Sequence, residues 1–143
     1  MPEEKPSTED RLTLASKLSD ICANLPSLRT HIKQIGIVRL YFELMEPHEN
    51  YGRMVRIFAL REDDGEFLGH AQRITADEKI PGTISIGGVM VKEPFRRMGV
   101  ATALYDAAED LASKIGAKLV PSDLLSDDAK AFWAARQRIR SAA

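Results

Sequence analysis

Val91-Lys92-Glu93-Pro94-Phe95-Arg96-Arg97-Met98-Gly99-Val100-Ala101 is the end of an apolar run that breaks into a basic, glycine-containing turn and then opens a helix. A turn of this kind leaves several backbone N–H groups unpaired at the positive end of a helix, and here two arginines lie alongside. It is chemically suited to hold a pyrophosphate, which points to a phosphorylated cofactor. Upstream, Thr83 to Val91 is rich in β-branched residues and reads as a largely buried strand, with Gly87 and Gly88 marking a bulge or a close approach. Downstream, Val100, Leu104, Ala108, Leu111 and Ile115 recur at helical spacing until Gly116, a residue suited to a left-handed C-terminal cap.

The stretch resembles the GNAT superfamily of acyl-CoA-dependent N-acetyltransferases, whose signature is Gln or Arg, two residues, Gly, one residue, then Gly or Ala. Arg96, Gly99 and Ala101 occupy those positions without a gap, and Val91 falls where the family's fourth strand ends. The resemblance implies that the backbone of Arg97, Met98, Gly99, Val100 and Ala101 holds the pyrophosphate of acetyl-CoA, with Arg96 completing the motif. It also implies an α/β (α+β) fold with a central mixed, mostly antiparallel sheet flanked by helices. The family parts its fourth and fifth strands at the cofactor, so backbone groups of Val89, Met90 and Val91 are expected to face the pantetheine arm and the thioester carbonyl.

A second patch supports the same resemblance. After Lys118-Leu119-Val120-Pro121, the run Ser126 to Trp133 is similar to the family's last helix, with Ala129 and Phe132 matching, Ser126 in place of an asparagine and Trp133 in place of a tyrosine. The tyrosine change bears on chemistry, because a phenol can pass a proton to a departing thiolate and an indole N–H cannot. Trp133 is then expected to pack against the pantetheine arm or the core. Two further departures are Ser85, where some members carry a glutamate base, and Gln137-Arg138, where a Gly-Phe pair is usual. The acceptor ammonium must lose a proton before it can attack, and the candidates to take it are Ser122 and Asp123, at the end of the fifth strand, and Glu43 if the sheet brings it close.

The leading expectation is acetyl transfer from acetyl-CoA to an amine of a small molecule or protein. The alternative is a non-catalytic CoA-binding or protein-interaction module on a degenerate fold of the same kind. After Trp133 the chain has no room for the family's final hairpin, which leaves a sheet edge in need of cover and suggests a homodimer.

Composition narrows the field. The 143 residues are 44% hydrophobic, enough for one domain, 1–143, with a substantial core. Twenty basic residues against twenty-one acidic ones give a net charge of -1, which argues against a broad nucleic-acid or anionic-membrane surface. A single cysteine cannot form an internal disulfide, no run reaches the length of a membrane span, and the polar start is no secretory signal, so a reducing cytoplasm is expected.

Residues 1–7 are expected to be disordered and 8–34 to form a helical N-terminal segment. Ser7-Thr8-Glu9-Asp10 reads as a helix entry, Leu14, Leu18, Ile21, Cys22 and Leu25 as its apolar face, and Leu28 to Lys33 as a shorter helical piece. Gly36 to Leu44, Arg53 to Arg61 and Glu66 to Ile74 read as strands, the last two joined in a hairpin by Asp63-Asp64-Gly65. Cys22 reads as a small core residue. His31, His48 and His70 lack metal-ligand spacing; His70 in its strand is either a half-buried structural histidine or a base.

Overall fold

The computed structural model describes residues 6–121 and 131–136. Ser122, Asp123 and the stretch from Ser126 to Lys130 lie outside the described residues, as do Gln137 and Arg138. The chain opens with α1 (Thr8–Ala23), followed by β1 (Leu28–Ile32), β2 (Gly36–Leu44), β3 (Val55–Arg61), β4 (Phe67–Ala76), β5 (Thr83–Ile86) and β6 (Gly88–Val91). A 3-10 turn, Glu93–Phe95, leads to α2 (Val100–Lys114) and then to β7 (Lys118–Pro121), and a helical segment covers 131–136. Among the described residues no helix is long and apolar enough to cross a membrane.

Ser7, expected within the disordered start, is the N-cap of α1: its side chain accepts from the Asp10 N–H at 3.0 Å, and Glu9 and Asp10 sit at the positive end of the helix. Leu28 to Ile32 corrects the expectation of a second helical piece. It is a strand, antiparallel to β2 and paired from Leu28 with Leu40 to Ile32 with Gly36. Leu28, Thr30 and Ile32 turn inward while Arg29 and His31 are exposed, so the period is two and not 3.6.

The strands run in the order β1-β2-β3-β4-β5-β7, with β6 paired to β4 off that path. Every pairing is antiparallel except that of β5 with β7. The β3–β4 hairpin turns at Gly65, whose N–H bonds the Arg61 carbonyl at 2.8 Å, and Asp64 bonds both the Arg61 guanidinium and the Glu66 N–H. Those contacts hold the Asp64 carboxyl down at about 2, with the Arg61 bond the larger cause.

One face of the sheet carries Val38, Leu40, Val55, Ile57, Ala59, Ala71 and Ile74, all at most 3% exposed. Leu18 and Cys22 of α1 and Val100, Leu104, Ala108 and Leu111 of α2 pack on that face in a single cluster. The two helices therefore share one side of the sheet, touching each other. The opposite face shows Tyr41, Phe58 and His70, half-buried, with the rings of Tyr41 and Phe58 stacked at 5.3 Å.

Candidate active site

The turn that follows β6 has the conformation its residues require. Arg97 has φ 63 and Gly99 has φ 109, so the chain twice enters the left-handed region on its way into α2. A side chain at Gly99 would meet no hard obstacle, since the nearest atom to an added Cβ is the Ile32 Cγ2 at 3.8 Å, but the backbone angle itself favours glycine. Gly99 is the N-cap and offers no side chain to the first turn of α2. The leading N–H groups of Val100, Ala101 and Thr102 thus have no intrahelical acceptor and stand at the positive end of the helix dipole.

Backbone groups on β6 face the same space. In an antiparallel ladder, alternate residues direct their N–H and C=O to the same neighbour. Lys92 N–H bonds the Leu68 carbonyl at 2.9 Å, and Met90 pairs with His70, so the even residues of this stretch bond to β4. Val89 and Val91 accordingly turn their backbone groups away from β4. No strand lies on that side among the described residues, because β7 pairs only with β5 and its pairing ends at Ile86 with Pro121. The Arg96 Nε donates to the Val91 carbonyl at 2.9 Å, and the N–H groups of Val89 and Val91 and the Val89 carbonyl have no partner among the described residues.

The break between β5 and β6 is a matched irregularity. Through β5 the core-facing residues are Ile84 and Ile86, whereas in β6 they are Val89 and Val91. On β4 the inward set changes in the same way, from Ala71 to Ile74. Arg73 and Gly87 are the surplus residues, one in each strand. Arg73 has φ 54, and a Cβ on Gly87 would lie 2.6 Å from that of Arg73, so no other residue fits there.

These surfaces enclose a cleft of about 790 Å³. Val89, Met90, Val91, Arg96, Arg97, Gly99, Val100 and Ala101, all singled out in the sequence, line it together with Phe95, Thr102, Tyr105 and Phe132. Met98 lies between lining residues of the turn but does not itself line the cleft, and Trp133 sits behind the wall, 9% exposed, with its ring edge-on to Tyr105 at 5.4 Å. Phe132 stacks on Tyr105 at 5.2 Å. Tyr105, which periodicity alone did not single out, is 1% exposed, and its hydroxyl has no hydrogen-bond partner among the described residues. Its neighbours on the stripe, Leu104 and Ala108, were the signal available, since a tyrosine flanking an apolar stripe needs somewhere to put its hydroxyl.

Glu43 depended on the sheet bringing it near, and the sheet does not. It lies on β2, separated from β6 by β3 and β4, and its carboxylate is bonded to Arg56 at 2.8 Å. Ser85 is buried on β5, opposite Thr75. His70 lies on the open face, across from Met90, and burial followed by the charge of Arg56 lowers its pKa, which favours the neutral imidazole. Among the described residues no group of three or more His, Cys, Asp or Glu side chains is placed to hold a metal ion.

The model of the acetyltransferase (GNAT) family matches residues 25–136, from just before β1 through the helical segment that carries Trp133. The chain belongs to this family. Among solved structures, this GNAT chain is similar to that of AAC(6')-Iy in complex with the bisubstrate analogue CoA-S-monomethyl-acetylneamine, at 19% identity and a TM-score of 0.45. That match covers 59% of this chain and 59% of the other, less than two thirds of either. No curated protein matches the chain.

Proposed function

We propose that the chain is an N-acetyltransferase that moves the acetyl group of acetyl-CoA to an amine of a small molecule or protein. The observation that carries this reading is the unpaired edge of β6 at Val89 and Val91, opening directly onto the left-handed turn at the head of α2. A cleft with N–H groups at one end and along one wall suits a ligand with an anionic pyrophosphate and an amide-bearing arm.

In this scheme the N–H groups at the start of α2 bind the pyrophosphate, with Arg96 and Arg97 adding positive charge. The Val89 or Val91 N–H donates to the carbonyl oxygen that gains negative charge as the amine attacks, which lowers the barrier by preorganised electrostatics. The acceptor arrives as an ammonium and must lose a proton to solvent or to a side chain. Ser122 and Asp123, which follow β7 directly, are our candidates for that role. The carbon–sulfur bond then breaks, and the thiolate, the conjugate base of a rather acidic thiol, leaves without a dedicated donor at Trp133.

We place the protein in the cytoplasm and as a homodimer, the latter because the outer edge of β7 has no partner strand among the described residues. Release of free thiol from acetyl-CoA in the presence of a panel of amines tests the reaction. Thiol release that rises with one class of amine is the expected result; CoA binding with no release for any amine would favour a module that keeps the cofactor without the chemistry. Light scattering at high micromolar concentration tests the dimer, and a monomeric mass would refute it.

A further inference from the structure

One row of side chains crosses the open face of the sheet and runs out at the free edge of β6. The register sets Tyr41 opposite Phe58, Phe58 opposite His70 and His70 opposite Met90, so the four stand side by side on β2, β3, β4 and β6. At the usual strand spacing the row is about 14 Å long. Tyr41 and Phe58 stack at 5.3 Å, Phe67 meets the His70 ring edge-on at 5.8 Å, and all four of these rings are half-buried. Met90 is 38% exposed and also lines the cleft beside α2. The row and the cleft therefore meet at Met90. Neither α1 nor α2 covers the row, since both pack on the other face.

The charge around the row is one-sided. Its four strands carry four arginines, Arg39, Arg56, Arg61 and Arg73, against a single carboxylate, Glu43, which Arg56 already holds at 2.8 Å. The Arg56 guanidinium also lies over the Phe58 ring at 5.7 Å. We propose that this row is the acceptor-binding surface and that it selects an amine carried on an aromatic body with no second positive charge. The inference rests on the acetyltransferase reading of the cleft and adds to it the class of acceptor. A flat ring laid on Phe58 and His70 leaves water for side chains already held by their neighbours, at little cost in side-chain entropy. Its amine then extends past Met90 to the edge where the Val89 and Val91 N–H groups receive the thioester. A second cation on the same body would lie among arginines with no carboxylate left to take it, which selects against polyamines. Burial, followed by the Arg56 charge, lowers the His70 pKa, so the imidazole under the ring is neutral at neutral pH.

The test measures thiol release from acetyl-CoA with 2-phenylethylamine, ethylamine and spermidine. For wild type, kcat/KM for 2-phenylethylamine is expected to exceed that for ethylamine by about tenfold or more, the worth of burying much of one ring, and spermidine to do no better than ethylamine. Phe58→Thr keeps a strand-forming residue and should bring the first two amines close to parity, chiefly by raising KM for 2-phenylethylamine. Tyr41→Thr, farther along the row, gives a smaller change in the same direction and serves if Phe58→Thr does not fold; CoA affinity by calorimetry reports that the cleft of each variant is intact. Wild type using ethylamine or spermidine as well as 2-phenylethylamine would overturn the inference and leave acetyl transfer standing. So would a preference that survives substitution while light scattering shows a dimer lost, because the face would then belong to a second copy of the chain. No thiol release with any of the three amines or with a wider panel would instead refute the acetyltransferase reading, and the inference with it.

Discussion

Arg96 reaches back over its own turn to Val91: the guanidinium Nε donates to the Val91 carbonyl at 2.9 Å. The bond ties the basic turn to the strand end and satisfies a carbonyl that β4 leaves free. It also fixes the orientation of a cation at the mouth of the cleft, where an anion would enter.

Arg96→Ala should therefore weaken CoA binding about tenfold at low salt, the usual scale for one charge-assisted contact, with less effect at high salt as screening shortens the reach of the charge. Stability should barely change, because Arg96 is exposed and water can take over the Val91 carbonyl. Calorimetry at two salt concentrations checks this; an affinity indifferent to both the substitution and the salt would contradict it.

Gly99→Glu should abolish CoA binding while the fold survives. At φ 109 any side chain strains the backbone by about 1–2 kcal/mol, and a carboxylate at this spot repels a pyrophosphate. The added Cβ meets nothing closer than Ile32 at 3.8 Å, so steric collision does not threaten the core. Circular dichroism should match the wild type. A measurable CoA affinity close to that of the wild type would show that the turn does not bind the cofactor.

Trp133 gives a pair of opposed expectations. Trp133→Phe keeps a ring against Tyr105 and should retain most of any acetyltransferase activity, since the indole N–H has no acid role. Trp133→Ala leaves a cavity in the core and should lose about 3 kcal/mol of stability by urea denaturation. A large drop in turnover for Trp133→Phe, with stability and CoA affinity unchanged, would assign the indole a part in the reaction.

Cys22 should be silent toward thiol reagents in the native state. Burial pushes its thiol from 9.0 up to about 12, so the native protein holds the proton when the unfolded chain has already released it. The sign follows: this contribution to stability is complete below pH 9.0 and is lost as pH rises toward about 12. The stability advantage of wild type over Cys22→Ala should shrink across that window. An advantage that is flat or widens there would show that the thiol ionises equally well when folded.

Strong local signals were legible in the chain. The strand-like run from Gly36 to Leu44 matched β2 to the residue, Asp63-Asp64-Gly65 made the hairpin, and the apolar stripe from Val100 to Ile115 ended on the C-cap of α2, one residue before the left-handed Gly116 read as the cap. Leu28 to Ile32 was read as helix because five residues hold too little period to separate the two, and what makes it a strand is its pairing with β2 across a tight turn. The turn of the candidate site was legible because its chemistry lies in consecutive residues. Phe95, Thr102, Tyr105 and Phe132 join the cleft by packing between elements, and no spacing rule announces that. Glu43 failed for the same reason, in reverse: the distance from β2 to β6 is a property of strand order.

Arg73 and Gly87 act on the sheet as a pair of matched frameshifts. Each adds one residue to its own strand, so the two strands stay in step with each other although both change phase. Losing Gly87 alone would roll β6 over, carrying Met90 into the core, setting Val89 and Val91 outward and zipping their free N–H groups into β4. Losing both residues would restore unbroken alternation and a smoother strand along which β7 could extend past Ile86. A stable fold would remain with the free edge of β6 closed, so one surplus residue in each of two strands is what keeps the cleft beside α2 open.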